Sequence, residues 1–189
     1  MFALQRVGMV QSYLYYPATR LAIEQHNPFH PNRDLLLQSV WTNILVTQFP
    51  LPYGFIVNPR EHGCFTERDL WADVQVQHIN HPGHLSFLVV ICRTASPTSN
   101  GTGGITDWED HLDSYLDLIF PPRRRGNQPV TVFGIVAFKR KASFHVKVVG
   151  EDLPMARMSQ HEETGKTEFD IVEDHFIVQS ILNDMSPQL

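Results

Sequence analysis

The sequence predicts an α/β (α+β) domain of three layers, in which a central mixed sheet is flanked by helices. Segments with apolar residues at three-and-four spacing follow segments that alternate or are continuously apolar, so helices and strands should be interspersed along the chain. The predicted order is helix, three strands, helix, two strands, helix. The apolar strand "VTVFGIVAFK" needs cover on both faces, which places helices on both sides of the sheet.

Two helices are predicted before the first strand. Pro17 suits a first helical position, which favours a short helix over residues 17–26. A longer helix over 32–48 carries a stripe of buried residues at helical spacing and ends before Pro50 and Pro52. The stripe consists of Leu37, Val40, Trp41, Ile44 and Leu45.

Three strands are expected next, over residues 53–58, 70–79 and 85–94. Alternation along the second strand places Trp71, Asp73, Gln75 and Gln77 on one face. The Pro82-Gly83 turn should join the second and third strands into an antiparallel hairpin.

The second half of the chain should supply another helix, two strands and a final helix. Thr106 and Glu109 form a capping box in front of "WEDHLDSYLDLIF". The apolar face of that helix comprises Trp108, His111, Leu112, Tyr115, Leu116 and Ile119, and the acidic residues Glu109, Asp110, Asp113 and Asp117 are expected to face solvent. Strands are predicted over 130–139 and 142–150, and a final helix over 168–184 contributes Ile171, Val172, Phe176, Ile181 and Leu182 to the core.

The length of 189 residues suits a single domain, 1–189, with an N-terminal extension (1–31), a core (32–150) and a C-terminal helix segment (151–189). No apolar run approaches the roughly 20 residues that a membrane helix needs. Cys64 and Cys92 lack the pattern of a disulfide framework, which favours a cytoplasmic or nuclear location.

The net charge of −5 argues against a nucleic-acid partner, because such binding depends on neutralising phosphates. A protein or a small-molecule ligand of unknown identity is the expected partner. The apolar N-terminal segment must pack on its own domain or on a partner, and a second copy of the chain in a homodimer would cover it.

Residues 32–150 resemble the restriction-endonuclease-like PD-(D/E)XK superfamily, and "HLDSYLDLIF…VTVFGIVAFKRKASFH" is similar to uncharacterised fungal members. The residues that take the motif places are Ala72-Asp73 for Pro-Asp, Ile91-Cys92-Arg93 for Glu-x-Lys, and His111 with Tyr115 for Gln-x-x-x-Tyr. The resemblance implies a candidate catalytic cavity formed by Asp73, Arg93, His111 and Tyr115.

The resemblance also implies that the nuclease site is degenerate. In such nucleases two carboxylates and a carbonyl hold a divalent cation that activates water. Ile91 removes one carboxylate, and Arg93 stays protonated where a lysine could move a proton. Arg93 suits a salt bridge to Asp73 or an anion clamp. The expected function is therefore that of a binding or scaffold protein without a cofactor.

Two enzymatic alternatives remain open. An active nuclease would use magnesium or manganese with a carboxylate that has migrated to Glu109, Asp110, Asp113 or Asp34, in a cleft lined by Arg123, Arg124, Arg125, Lys139, Arg140 and Lys141. A metal-free small-molecule enzyme would use His111, Tyr115, Asp73 and Arg93 in an enclosed pocket.

A third constellation is the histidine-rich turn "HINHPGH". His78, His81 and His84 are candidate zinc or copper ligands, although exposed turn histidines are the simpler interpretation.

Overall fold

The computed structural model describes residues 12–26, 30, 32–60, 72–79, 86–95, 104–120, 130–149, 153–158 and 165–186. Its α-helices are α1 (Pro17–Gln25), α2 (Arg33–Gln48), α3 (Glu109–Ile119) and α4 (His175–Asp184). Its strands are β1 (Phe55–Pro59), β2 (Val74–His78), β3 (Ser86–Arg93), β4 (Val130–Phe138), β5 (Lys141–Val149), β6 (Ala156–Arg157) and β7 (Phe169–Asp170). The predicted fold class, a mixed sheet with helices on both faces, is confirmed.

The strands form one open sheet in the order β1-β2-β3-β4-β5-β6, and β7 pairs with β5 beside β6. Neighbouring strands are antiparallel except β3 and β4, which are parallel and connected through α3. The antiparallel pairing predicted for β2 and β3 is confirmed, with Val74 opposite Val90. The short strands β6 and β7 were not predicted.

Two apolar cores lie on opposite faces of the sheet. Helices α1, α2 and α4 pack on one face around Leu37, Trp41, Ile44, Val90, Phe144 and Leu182. Helix α3 packs on the other face around Ile91, Leu112, Tyr115, Leu116, Val132 and Val136. Strand β4 contributes to both cores, as its continuous apolar run requires.

A glycine in β4 allows α3 to pack closely on the sheet. A Cβ built on Gly134 would lie 2.5 Å from Leu112 Cδ2, inside van der Waals contact. The side chain of Leu112 therefore occupies the space that a larger residue at position 134 would fill.

Three local predictions are wrong. Residues Ile105–Trp108 form a 3₁₀ turn, and α3 begins at Glu109 without a side-chain cap, so the Thr106–Glu109 capping box is absent. The last helix begins at His175, because the Asp170 carboxylate accepts the backbone N–H groups of Val172 and Glu173 in a turn. Phe176 is 59% exposed instead of lying in the core.

Several predictions fall outside the described residues. These include Trp71, Cys64, the Pro82-Gly83 turn and the apolar segment before residue 12 that suggested a homodimer. In the part of the chain that the structure describes, no helix combines the length and apolarity needed to cross a membrane.

Candidate functional site

The motif residues gather at one edge of the sheet, where β2 begins and β3 and β4 end. Asp73 directly precedes β2, and its backbone N–H donates to Val90 O at 2.9 Å. Arg93 ends β3, and its carbonyl accepts the N–H of Lys139, the residue after β4, at 3.0 Å. We call this edge the carboxyl edge, because the two parallel strands end there.

Asp73 and Arg93 form a buried ion pair at the carboxyl edge. Arg93 Nη1 lies 2.6 Å from Asp73 Oδ2, and Asp73 and Arg93 are 1% and 5% exposed. The backbone N–H of Cys92 donates to the same carboxylate oxygen at 2.7 Å. Arg93 Nη1 also donates to Cys92 O at 2.6 Å. The guanidinium and the Cys92 N–H thus compensate the charge at Oδ2, as buried charges require.

The surroundings of the pair hold its backbone in place. Gln38 on α2 donates from Nε2 to the carbonyl of Asp73 at 2.8 Å and to that of Arg60 at 2.9 Å. Ile91, which stands in the Glu place of the motif, is fully buried in the core beneath α3. Position 91 therefore contributes to the packing of this core.

His111 is connected to the ion pair through an aromatic ring. The guanidinium carbon of Arg93 lies 4.8 Å from the Trp108 ring centroid, within the range of a cation–π interaction. The Trp108 and His111 rings meet edge to face with centroids 5.4 Å apart. The sequence placed Trp108 on the apolar face of its helix but did not indicate its contact with Arg93.

Tyr115 is held by a different partner. Its hydroxyl accepts a hydrogen bond from Gln75 Nε2 at 2.7 Å, and the residue is 5% exposed. Burial raises the pKa of Tyr115 and the Asp73 carboxylate adds to that rise, while the Gln75 bond opposes it. The phenol is consequently neutral at physiological pH. Asp73, Arg93, His111 and Tyr115 lie in one region but are held by separate contacts.

One carboxylate outside the motif lies near the pair. Asp34, in the first turn of α2, accepts a hydrogen bond from the Thr94 hydroxyl, directly after Arg93. Burial lowers the pKa of His26, which follows α1, and the charge of Asp34 opposes that shift. Among the carboxylates considered as migrated ligands, Asp34 is therefore at the carboxyl edge.

Three acidic residues of α3 pair with cations of the sheet, one of which belongs to a polar stripe on β5. Lys147 Nζ lies 2.7 Å from Asp113 Oδ1 and 2.6 Å from Asp117 Oδ1. Arg157 on β6 binds Glu109 at 2.7 Å. The prediction of a solvated face is wrong for Glu109, whose side chain is 16% exposed. Asp110 and Asp117 are exposed as predicted, and the Asp113 side chain is 37% exposed.

The same stripe contains a serine and a histidine that do not form a nucleophilic triad. His145 Nε2 lies 2.8 Å from Ser143 Oγ and 3.4 Å from Glu109 Oε1. A triad places the hydroxyl and the carboxylate on opposite ring nitrogens, whereas here both approach Nε2, and Ser143 is fully buried. Burial, and then the charge of Arg157, lowers the pKa of His145 to about 4. The imidazole is therefore a neutral part of the interior.

The histidine-rich turn is described only at His78. That residue is 2% exposed, with Nε2 3.1 Å from Tyr53 O and its ring 4.8 Å from that of Phe55. It is a packed interior residue, which corrects the expectation of an exposed turn histidine. His81 and His84 lie outside the described residues, and no group of three potential metal ligands occurs among the residues described.

The basic cleft expected for an active nuclease is described only in part. Arg140 binds Asp170 at 2.9 Å, and Lys141 lies 3.6 Å from Glu168. Both cations are thus paired with the segment before α4. Arg123, Arg124 and Arg125 lie outside the described residues.

A cavity of about 560 Å³ opens at the carboxyl edge. It is lined by His26, residues 104–106, residues 138–141, Glu168 and Asp170. The four motif residues do not line it. Sequence reasoning missed this cavity because its described lining residues come from segments that are distant along the chain, and no local pattern brings them together.

Comparisons with known proteins add no relative. No protein-family model matches the chain, and no curated protein or solved structure matches it either.

Proposed function

We propose that this chain is a degenerate PD-(D/E)XK-like protein that lacks metal-dependent nuclease activity and acts by binding a partner, either a protein or a small molecule. The observation that carries the proposal is the engagement of Asp73. Its Oδ2 atom receives both the Arg93 guanidinium and the Cys92 N–H, at 2.6 and 2.7 Å.

A divalent cation would have to compete with these groups. Magnesium prefers several oxygen ligands in octahedral geometry, and the second motif carboxylate is replaced by the buried Ile91. Displacing Arg93 from Asp73 would leave a guanidinium buried without its counter-charge, which costs several kcal/mol. Arg93 also remains protonated and cannot serve as a general base.

The cavity at the carboxyl edge supports a binding role. Ligands of open α/β sheets bind outside the carboxyl ends of parallel strands, and the cavity lies at that place on β4. The net charge of −5 favours a partner other than nucleic acid.

The test is a cleavage assay on single-stranded DNA, double-stranded DNA and RNA with magnesium or manganese. The natural protein is compared with Asp73→Ala and with Asp34→Ala, which removes the carboxylate that an active nuclease would recruit. Asp184→Ala is the matched control, because Asp184 is an exposed acid at the end of α4 and is not among the candidate metal ligands. We expect no metal-dependent cleavage by the natural protein.

Cleavage by the natural protein and by Asp184→Ala that disappears in Asp73→Ala or Asp34→Ala would refute the proposal. It would identify an active nuclease with a migrated acid. Circular dichroism of each variant separates loss of activity from loss of folding.

A further inference from the structure

We infer that the cavity at the carboxyl edge binds a small organic anion with an apolar body. The inference rests on the proposed binding function and names the ligand class. The cavity volume of about 560 Å³ lies within the range of roughly 300 to 1,000 Å³ that is usual for small-molecule sites.

The preference for an anion follows from the charges that line the cavity. Arg140 is neutralised by Asp170 at 2.9 Å, and Lys141 by Glu168 at 3.6 Å. Lys139 has no carboxylate within ion-pair distance among the described residues, and its ammonium lies 5.1 Å from the Phe138 ring centroid. Among the described lining residues, three cations against two carboxylates leave one excess positive charge, and Lys139 carries it.

A second polar group of the cavity also needs a partner. His26 lines the cavity, and its Nε2 atom is buried without a hydrogen-bond partner in the described part of the chain. A buried ring nitrogen in this state costs free energy, which a ligand that bonds to it would recover. Lys139 and His26 are therefore the two polar contacts that we assign to the ligand.

The apolar body of the ligand is inferred from the rest of the lining. Two lining residues are apolar: Ile105 belongs to the core beneath α3, and the partly exposed Phe138 packs against that core. A hydrophobic or aromatic group placed against them would gain from removal of apolar surface from water.

The probe for this site is 8-anilinonaphthalene-1-sulfonate, an aromatic anion whose fluorescence rises in apolar surroundings. We expect saturable binding of one dye per chain. Lys139→Asn should weaken binding roughly three- to tenfold through the loss of one near-surface charge contact. Asparagine tolerates the positive φ of 57° found at this position, so the variant removes charge without adding backbone strain.

A second variant tests the volume of the cavity. Thr106 is an exposed lining residue, and Thr106→Trp should fill the space and abolish dye binding. Arg20→Gln is the matched control, because it removes an exposed cation that does not line the cavity and should change the affinity by less than about twofold. Thermal unfolding of each variant establishes that it is folded.

Absence of saturable binding, or equal binding by the natural protein, Lys139→Asn and Thr106→Trp, would overturn the inference. Either result leaves the proposed function standing with a protein as the partner. The proposed function fails in the cleavage assay, whose outcome does not depend on dye binding.

Discussion

At the scale of single residues, the pairing of Asp73 with Arg93 follows from strand alternation, whereas its surroundings do not. Alternation permits the two side chains to meet across β2 and β3. The Cys92 N–H bond and the Trp108 ring over Arg93 depend on the exact approach of β3 and α3. The sequence therefore supports a prediction of the pair, but it does not show that Asp73 Oδ2 also accepts the backbone N–H of Cys92.

We predict strong energetic coupling between Asp73 and Arg93. Asp73→Asn and Arg93→Met each leave a buried charge without its counter-ion and should each cost about 3 to 5 kcal/mol in the free energy of unfolding. The double variant should cost clearly less than the sum, because no lone charge remains. Urea unfolding of the four proteins measures the coupling.

An exposed ion pair provides the control for this comparison of single and double variants. Arg140, with its side chain 49% exposed, pairs with Asp170, so Arg140→Gln should cost at most about 1 kcal/mol. Additive effects of Asp73→Asn and Arg93→Met would show that the buried pair is not coupled and would weaken the case against a metal.

A second residue-scale prediction concerns His145 and pH. Its pKa is about 4 in the folded chain and 6.5 in the unfolded chain, so the unfolded chain takes up the proton first as the pH falls. Stability should therefore be lost between pH 6.5 and pH 4, by a total on the order of 3 kcal/mol.

Urea unfolding at pH 7 and pH 5 measures this loss. His145→Asn keeps a polar side chain beside Ser143 but cannot take up the proton, so its stability should fall less over the same interval. Equal pH dependence of the natural protein and His145→Asn would show that His145 is readily protonated in the folded chain.

At the scale of elements, α3 shows which faces of a helix local periodicity can predict. Leu112, Tyr115 and Leu116 are buried as the three-and-four spacing indicates. The acids at four-residue spacing were expected in solvent because they lie outside the apolar face of the helix. Their partner Lys147 comes from β5, and only the tertiary fold brings it beneath the helix.

We predict that removing the lysine of the Lys147, Asp113 and Asp117 cluster costs less stability than removing the charges of its two acids. Lys147→Met leaves two carboxylates whose side chains are 37% and 60% exposed and can hydrate, so it should cost about 1 kcal/mol or less. Asp113→Asn with Asp117→Asn leaves a lysine side chain that is 8% exposed without its counter-charges, and should cost about 3 kcal/mol. Thermal unfolding compares the two, and a larger cost for Lys147→Met would contradict this prediction.

At the scale of the whole molecule, the fold class was predictable from sequence patterns that indicate burial. These are the apolar stripes of α2 and α3 and the continuous apolar run of β4. The two-residue strands β6 and β7 are too short to show a period and were missed. The cavity was missed for a related reason, since its lining segments become neighbours only when α1, α3 and the β4–β5 turn are assembled.

The sheet order predicts how stability is distributed. Strands β3 and β4 have neighbours on both sides and cores on both faces, whereas β1 is at an edge. The amides of Val90 and Ile135 should therefore exchange with solvent deuterium only through global unfolding, and those of β1 should exchange through smaller local openings. Native-state exchange at increasing urea separates the two, because global unfolding depends more steeply on urea. A lower free energy of opening for the amides of Val90 and Ile135 than for those of β1 would contradict this prediction. The parallel pair β3 and β4, which supports the carboxyl edge, would then not be the most stable part of the sheet.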